Sequence, residues 1–328
     1  MDTRTLGRTG RTVSAIGLGT WQLGADWGDV DDTAARDILD TAVSSGVTLF
    51  DTADVYGDGR SEKFIGSYLA DNPGHGITVA TKMGRRDAQD PANFTLARFR
   101  EWTDRSRLNL GVDTLDLVQL HCPPTAVFST DAVYDALDTL VQNDAIAAYG
   151  VSVETADEAL AAIARPGTAT VQIILNAFRL KPLDEVLPAA KAAGVGIIAR
   201  VPLASGLLSG KYTTETTFAE NDHRNYNRDG SAFDVGETFS GVDFDRGVAA
   251  AQEFARLAAG TGLSTSQAAL AWVAQLDGVS TVIPGARSVE QARSNAAAGE
   301  AAPLSDGFTA AVKEIYDRYF REAVHPRW

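Results

Sequence analysis

Four ionisable side chains have types that suit proton transfer to a carbonyl oxygen. Asp51, Lys82 and His121 each lie at the carboxyl end of an apolar, strand-like run, and Tyr56 follows Asp51 by five residues. A tyrosine is a poor proton donor near neutral pH because its ordinary pKa is about 10. We expect Lys82 to lower that pKa, Asp51 to hold the lysine charged, and His121 to orient a substrate oxygen. Together they predict a proton-donating site for a carbonyl that gains a hydride.

Each of these residues also has a structural interpretation. Asp51 and Lys82 alone could form an ion pair at the rim of a sheet. Tyr56 could anchor a loop, and His121 could be a hydrogen-bonded core residue. Cys122 follows His121 and could suggest a thiol nucleophile. Since adjacent residues in a strand face opposite sides, we expect Cys122 to serve packing instead.

The elements that must position these side chains alternate between strand-like and helix-like runs. The predicted strands are Ala15–Gly19, Thr48–Asp51, Thr78–Lys82, Leu115–Leu120, Ala147–Val151, Val171–Leu175, Gly196–Arg200 and Ser280–Ile283. The helices after them are Thr33–Ser45, Glu62–Ala70, Phe94–Leu110, Asp131–Asn143, Ala156–Ala164, Leu183–Ala193, Phe244–Ala259 and Ser288–Ala298. Eight such pairs predict an α/β fold of the (β/α)₈ barrel type, with residues 1–328 as one domain.

The alternative fold is an open, doubly wound sheet. Such a sheet normally carries Gly-x-Gly-x-x-Gly after its first strand. The first predicted strand here ends in Gly17-Leu18-Gly19-Thr20-Trp21, without the third glycine, so the barrel is favoured. Catalytic groups of a barrel lie at the carboxyl ends of its strands, where Asp51, Lys82 and His121 fall.

Three further segments lie outside the eight repeats. Arg4–Val13 is predicted to be a hairpin that plugs the bottom of the barrel. Ser264–Trp272 and Ser305–Tyr319 are predicted extra helices. The stretch from Leu203 to about Phe244 is a long loop, a feature that is usually functional or disordered.

Composition excludes several classes of partner. The chain has 328 residues and a net charge of −14, and an acidic surface repels nucleic acid and anionic membranes. One cysteine and four histidines without His-Glu-x-x-His spacing predict neither disulfides nor a metal site. The first residues lack a signal-peptide core, and no apolar run reaches the roughly 20 residues that span a bilayer. These features predict a cytoplasmic protein and leave its oligomeric state undetermined.

The motifs around the four residues resemble those of the aldo-keto reductases. The matching segments are Leu18-Gly-Thr-Trp21, Asp51-Thr-Ala-Asp-Val-Tyr56-Gly, Thr81-Lys82, Gln119-Leu-His121, Gly150-Val-Ser152, Val171-Gln172, Pro202-Leu-Ala-Ser-Gly-Leu-Leu-Ser-Gly-Lys211 and Ile283-Pro-Gly-Ala-Arg287-Ser. The resemblance places the family's catalytic tetrad on Asp51, Tyr56, Lys82 and His121. It implies a nicotinamide cofactor, usually NADP(H), that lies extended across the barrel mouth.

The resemblance also implies where the cofactor binds. Ser152 and Gln172 correspond to the residues that hold the nicotinamide carboxamide. The remaining implied contacts are Thr20, Trp21, Asp51, Arg200, Pro202 and Leu203, then Ser205, Gly206, Leu207 and Lys211 over the pyrophosphate, and Gly285, Arg287, Gln291 and Asn295 at the adenosine end. Two positions depart from the family. Val153 stands where asparagine is common, and Arg200 stands where an aromatic ring often stacks on the nicotinamide, a role that a guanidinium plane can fill.

The choice of NADP(H) depends on Arg287. The segment Pro284-Gly285-Ala286 leads into a predicted helix, whose first N–H groups attract a phosphate. Arginine recognises a phosphate through two parallel hydrogen bonds, and NADP carries one phosphate more than NAD. The alternative is that Arg287 forms a surface ion pair with Glu290 or Asp277.

The substrate is predicted to be a small carbonyl compound, such as an oxidised sugar. Glu220–Arg228 is a polar segment after the seventh predicted strand, and we expect His223, Arg224 and Asn225 to contact substrate together with Trp21, Tyr56 and His121. Trp21 and Trp27 could supply a flat apolar wall. The segment could equally be a solvated cover over the pyrophosphate. A second functional class stays open, that of a regulatory subunit that binds the cofactor with little turnover.

Overall fold

The computed structural model describes residues 1–24, 31–220, 222–228 and 238–328, so Trp27 lies outside the described residues. The strands are β1 (Thr3–Thr5), β2 (Thr12–Ser14), β3 (Leu18–Gly19), β4 (Leu49–Asp51), β5 (Thr78–Met83), β6 (Leu117–His121), β7 (Tyr149–Ser152), β8 (Thr168–Ile174), β9 (Gly196–Arg200) and β10 (Val279–Val282). The helices are α1 (Asp32–Ser44), α2 (Arg60–Asp71), α3 (Leu96–Leu110), α4 (Asp131–Gln142), α5 (Ala156–Ile163), α6 (Val186–Ala193), α7 (His223–Tyr226), α8 (Phe244–Ala259), α9 (Thr265–Ala274), α10 (Val289–Ala297), α11 (Asp306–Tyr319) and α12 (Arg321–Val324).

Strands β3 to β10 form one parallel sheet in chain order. Isolated parallel bridges join Ile16 to Val282 and Gly19 to Gly285, so the first and last strands of this sheet meet and close the barrel. The predicted (β/α)₈ barrel is confirmed, and the open sheet is excluded. The first predicted strand, Ala15–Gly19, forms a continuous ladder only over Leu18–Gly19.

The predicted hairpin closes the bottom of the barrel. β1 and β2 pair antiparallel, and Leu6 and Val13 from this hairpin are fully buried. They pack in one cluster with barrel residues that include Leu49, Ala80 and Leu117. The apolar side chains of the hairpin therefore fill the end of the barrel opposite the carboxyl ends of the strands.

The outer helices form where an apolar face coincides with capping residues. In α4 the buried positions Val133, Ala136, Leu137 and Leu140 recur at helical spacing and face the barrel. The Thr155 and Glu158 side chains close a capping box at the start of α5. Helix α6 starts three residues later than predicted because residues 181–183 form a separate 3₁₀ turn. Within the described ranges, no helix is both long and apolar enough to cross a membrane.

Candidate active site

The carboxyl ends of the barrel strands carry the predicted polar residues at one rim. Strand register places Lys82 beside Gln119 on the neighbouring strand, and His121 beside Ser152 on the next. The rim opens into a cleft of about 510 Å³, within the roughly 300–1,000 Å³ usual for small-molecule sites. The tetrad residues that line this cleft are Asp51, Tyr56 and His121.

Lys82 lies below the cleft and contacts two of the other three tetrad residues, Asp51 and Tyr56. It is 1% exposed, and its Nζ donates to Asp51 Oδ1 at 2.5 Å, to the Thr52 carbonyl at 2.8 Å and to the Tyr56 hydroxyl at 3.3 Å. The second oxygen of Asp51 accepts a hydrogen bond from the Gln172 amide at 2.6 Å. Lys82 therefore contacts the phenol directly, and Asp51 fixes the ammonium in place.

The pKa of Tyr56 differs from the sequence-based expectation. Burial raises this pKa above its ordinary value, while the Lys82 charge acts in the opposite direction and Asp51 adds to the increase. The predicted lowering by Lys82 is present but is smaller than the effect of burial. The pKa of Lys82 is lowered by burial, but the nearby Asp51 and Tyr56 raise it by more, so the ammonium stays charged. Tyr56 is therefore a protonated phenol at neutral pH.

His121 is held in its neutral form. Burial lowers its pKa well below the ordinary value, and the positive charges of Arg85, Lys82 and Arg200 lower it further. A neutral imidazole keeps one N–H that can donate to a substrate oxygen. The His121 ring packs edge-on to the Tyr56 ring at 6.0 Å between centroids, so both polar groups face the same part of the cleft.

Two more aromatic side chains lie next to the Tyr56 and His121 rings in the cleft. The Trp21 ring stacks near the Tyr56 ring with centroids 6.2 Å apart, and the His223 ring centroid lies 5.7 Å from that of Trp21. His223 is 8% exposed, and its Nδ1 is hydrogen-bonded to the Thr238 hydroxyl. Trp21 and His223 both line the cleft, and their contact with substrate stays a prediction.

The predicted nicotinamide-binding residues lie on the next three strands. Ser152, Gln172 and Arg200 all line the cleft. The Arg200 guanidinium donates to the Val153 carbonyl at 3.1 Å and lies 3.6 Å from the Glu154 carboxylate. These contacts hold the guanidinium against the wall of the cleft.

The predicted phosphate-binding residues form the other end. The cleft residues at this end are Pro202, Leu203, Ser205, Gly206, Gly285, Arg287 and Gln291. Thr20 also lines the cleft. Arg287 is exposed, and its backbone N–H donates to Gln291 Oε1 at 2.8 Å at the start of α10. The alternative partner Asp277 pairs instead with Lys191 at 2.6 Å. In the described part of the chain, Arg287 has no ion pair, which leaves its side chain facing the cleft.

Four predicted contact residues lie outside the cleft lining. Leu207 is a fully buried core residue because its side chain packs on Gly247 of α8. Lys211 and Asn225 are exposed to solvent away from the lining. Asn295 is buried and donates to the Gly285 carbonyl at 3.1 Å, so it supports the turn before α10.

Several residues that line the cleft were not predicted from the sequence, among them Arg85 and Cys122. Arg85 lines the cleft from the loop after β5. This position could have been predicted, because the active sites of such barrels are built from the loops that follow the strands. Cys122 also lines the cleft, so its assignment to packing alone is wrong. Its backbone is left-handed, with a φ of 45°, which breaks the alternation of faces on which that assignment depended. Its Sγ lies 3.4 Å from the Ser152 hydroxyl.

A second buried carboxyl lies two residues before Tyr56, in the same loop after β4. Asp54 is fully buried, and neither of its carboxylate oxygens has a hydrogen-bond partner among the described residues. Burial raises the pKa of Asp54 to about 7, and the negative charge of Glu62 contributes, while Arg86 and Arg105 oppose the increase. The Arg105 side chain also donates to the Asp54 backbone carbonyl at 3.0 Å. Asp54 therefore titrates near neutral pH.

Comparison with known proteins identifies the family of this site. The model of the Aldo/keto reductase family matches residues 15–317. The chain belongs to the aldo/keto reductase family. It is an oxidoreductase of that family, similar to an uncharacterised oxidoreductase of Mycobacterium bovis at 34% identity over 301 residues, which are 88% of this chain and 85% of the relative.

Two other similar proteins have names that include a substrate. A glycerol dehydrogenase from Gluconobacter oxydans has 31% identity and a TM-score of 0.81, and the match covers 100% of this chain and 98% of that one. An L-galactose dehydrogenase from Arabidopsis thaliana is 33% identical over 219 residues, which cover 64% of this chain and 67% of the relative. The names of both relatives refer to polyhydroxylated compounds.

Proposed function

We propose that this aldo/keto reductase reduces polar, hydroxylated aldehydes or ketones to alcohols with NADPH. The observation that carries the proposal is the contact of the buried Lys82 ammonium with both Asp51 and the Tyr56 hydroxyl, beside a neutral His121. A structural ion pair alone would not need a phenol within 3.3 Å of the ammonium at the floor of a cleft. The arrangement instead supplies an acid and a hydrogen-bond donor at one point.

In the proposed mechanism, His121 and Tyr56 donate hydrogen bonds to the carbonyl oxygen of the substrate. NADPH, when bound, supplies a hydride to the carbonyl carbon. The C=O π electrons move to oxygen, and Tyr56 gives its proton to that oxygen to form the alcohol. The Lys82 ammonium stabilises the resulting phenolate, which takes a proton back from solvent. Asp51 keeps the lysine charged and oriented through this cycle.

The residues of the cleft fit the proposed cofactor. Ser152 and Gln172 would hold the carboxamide, with Arg200 against the nicotinamide ring. The Gln172 amide nitrogen is bonded to Asp51, which leaves its oxygen as the acceptor for the carboxamide N–H₂. Arg287, at the start of α10, would bind the ribose phosphate that distinguishes NADP from NAD. Gln291 would support it from the first turn of the same helix.

The polar substrate is supported by the cleft wall and by two relatives. Trp21 offers an aromatic face beside Tyr56, while His223 and Arg224 add polar groups at the same mouth. The glycerol dehydrogenase and the L-galactose dehydrogenase act, by their names, on polyhydroxylated compounds. Aromatic stacking with surrounding hydrogen-bond donors suits a molecule of that kind.

The test is a kinetic comparison of carbonyl substrates with NADPH. NADPH consumption is measured with glyceraldehyde and dihydroxyacetone and, separately, with hexanal and benzaldehyde. We expect higher kcat/KM for the hydroxylated pair. A strong preference for the apolar aldehydes would refute the polar substrate. Tight NADPH binding without turnover of any carbonyl would instead indicate a regulatory binding protein.

A further inference from the structure

Arg85 is a cation at the cleft that the proposed chemistry does not use. Its Nε donates to the backbone carbonyl of His121 at 3.1 Å, and Nη2 donates to Glu154 Oε1 at 3.3 Å. Its side chain is 33% exposed, and Nη1 makes no hydrogen bond to any residue that the structure describes. These two hydrogen bonds fix the guanidinium next to His121, which is proposed to bind the carbonyl oxygen, and Nη1 can still donate to a ligand.

The charge around Arg85 favours an anion. Among the described residues that line the cleft, four are arginines and Asp51 is the one acid. The Asp51 charge is balanced by its ion pair with Lys82. Glu154, beside Arg85 and Arg200, and Asp222, beside Arg224, offset two of the four arginine charges, so the cleft keeps an excess of positive charge in a chain with a net charge of −14.

Three of these arginines have other tasks. Arg287 lies at the proposed phosphate end, and Arg200 lies along the wall proposed for the nicotinamide ring. Arg224 forms an ion pair with Asp222 and donates to the Tyr212 hydroxyl. Arg85 differs because it comes from the loop after β5 and touches the backbone of His121. Its position is on the substrate side of the cleft.

We propose that Arg85 selects carbonyl substrates that carry a carboxylate a few atoms from the reacting carbonyl. This inference rests on the proposed function, since it concerns the substrate of the same site. A guanidinium binds a carboxylate through two parallel hydrogen bonds, a geometry that a neutral hydroxyl cannot match. Glu154 competes for this guanidinium through Nη2 alone, at 3.3 Å, so Nη1 can still donate to an incoming carboxylate.

The test compares succinate semialdehyde with its uncharged methyl ester. The two aldehydes have the same chain, so the ratio of their kcat/KM values reports recognition of the charge. We expect the wild-type protein to prefer the acid. Arg85→Gln should lower the acid-to-ester ratio by about 10- to 100-fold, the effect of a charge-assisted hydrogen bond. The loss should appear mainly in KM for the acid, because Arg85 does not touch the reacting atoms.

Two further variants make the test specific. Arg85→Lys keeps the charge and should retain part of the preference, while Glu154→Gln removes the competing carboxylate and should raise the ratio. Arg98→Gln is the matched control, since Arg98 is near the same loop, pairs with Asp87 and Glu101, and does not line the cleft. Its ratio should equal that of the wild type. Added salt should reduce kcat/KM for the acid more than for the ester.

The outcomes separate this inference from the proposed function. An unchanged ratio in Arg85→Gln, or a wild-type preference for the ester, would overturn the role of Arg85 while the reductase activity stands. An equal loss with both aldehydes would mean that Arg85 only supports His121, and this also overturns the selection. Absence of turnover with every carbonyl in the wild type would refute the proposed function itself.

Discussion

Removal of the Arg287 side chain should weaken the binding of NADP⁺ and leave the binding of NAD⁺ nearly unchanged. Arg287 is exposed at the end of the cleft, at the start of α10, and has no ion pair among the described residues. Its substitution by alanine therefore breaks no hydrogen bond or ion pair between this side chain and the residues that the structure describes. The backbone N–H that donates to Gln291 stays in place in the variant.

The size of the effect follows from one lost charge-assisted contact. Such a hydrogen bond contributes about 1.5–3 kcal/mol. Since about 1.4 kcal/mol corresponds to a factor of ten, the Kd for NADP⁺ should rise by roughly 10- to 150-fold. NAD⁺ lacks the phosphate that Arg287 would bind, so its Kd should change little. The wild-type preference for NADP⁺ should also decrease as salt is added.

Both Kd values can be measured by isothermal titration calorimetry. Arg293→Ala is the matched control because Arg293 is exposed on the same helix and does not line the cleft. It should affect neither cofactor by more than a small factor. Equal losses of NADP⁺ and NAD⁺ affinity in Arg287→Ala would show that Arg287 supports the fold of this turn. No loss for either cofactor would place the phosphate elsewhere.

Three other predictions concern the buried groups around the site and the core. Lys82→Met should reduce turnover by at least ~100-fold. It should also lower the free energy of unfolding by about 3–5 kcal/mol, because it leaves the Asp51 charge unpaired. Adding Asp51→Asn to this variant should restore the stability measured by urea denaturation but not the turnover. Asp54 has a native pKa of about 7, above its ordinary value. Between about pH 4 and about pH 7 the native state therefore binds more protons than the unfolded state, so Asp54 lowers the stability of the protein as the pH rises through this range. Asp54→Asn should therefore gain stability relative to the wild type at pH 8, by up to roughly 4 kcal/mol, and no such gain should remain near pH 4; a gain that is the same at both pH values would contradict a titrating Asp54. Phe320→Ala should cost about 3–5 kcal/mol, because Phe320 is fully buried and stacks on Phe178 at 4.4 Å between centroids.

The barrel and the position of the candidate catalytic residues could be predicted because both depend on regular patterns. Asp51, Lys82 and His121 follow apolar strand-like runs, and parallel strands bring their carboxyl ends to one rim. The hairpin was equally accessible, since Leu6 and Val13 are apolar residues on either side of a turn. The local sequence therefore predicted the strands and helices, and the geometry of a parallel barrel predicted which side chains lie together at its rim.

The loops could not be predicted in the same way, since they have no repeating spacing. Leu207 and Lys211 lie in the segment after β9, where the left-handed backbone of Ala204 and Ser205 redirects the chain. One of the two consequently enters the core and the other faces solvent. The left-handed φ at Cys122 turned its side chain into the cleft in a comparable way. Such single-residue conformations depend on tertiary contacts rather than on neighbouring residue types.

Electrostatics is the other part that the sequence did not contain. The proximity of Lys82 and Tyr56 was predicted and is confirmed at 3.3 Å. The direction in which the Tyr56 pKa shifts from its ordinary value also depends on burial, which is a property of the closed barrel and the loop above it. Burial outweighs the nearby ammonium, and the result is an acid that stays protonated at neutral pH.

The most direct test of the proposed mechanism is the turnover of Tyr56→Phe with NADPH and glyceraldehyde, measured together with its affinity for NADPH. The substitution removes one hydroxyl and leaves the ring beside Trp21 and His121. We predict that kcat falls by at least ~100-fold, the usual scale for a lost general acid. The Kd for NADPH should change little, since the hydroxyl is proposed to face the substrate. A variant that keeps most of its turnover, or that loses NADPH binding in parallel with activity, would contradict Tyr56 as the proton donor.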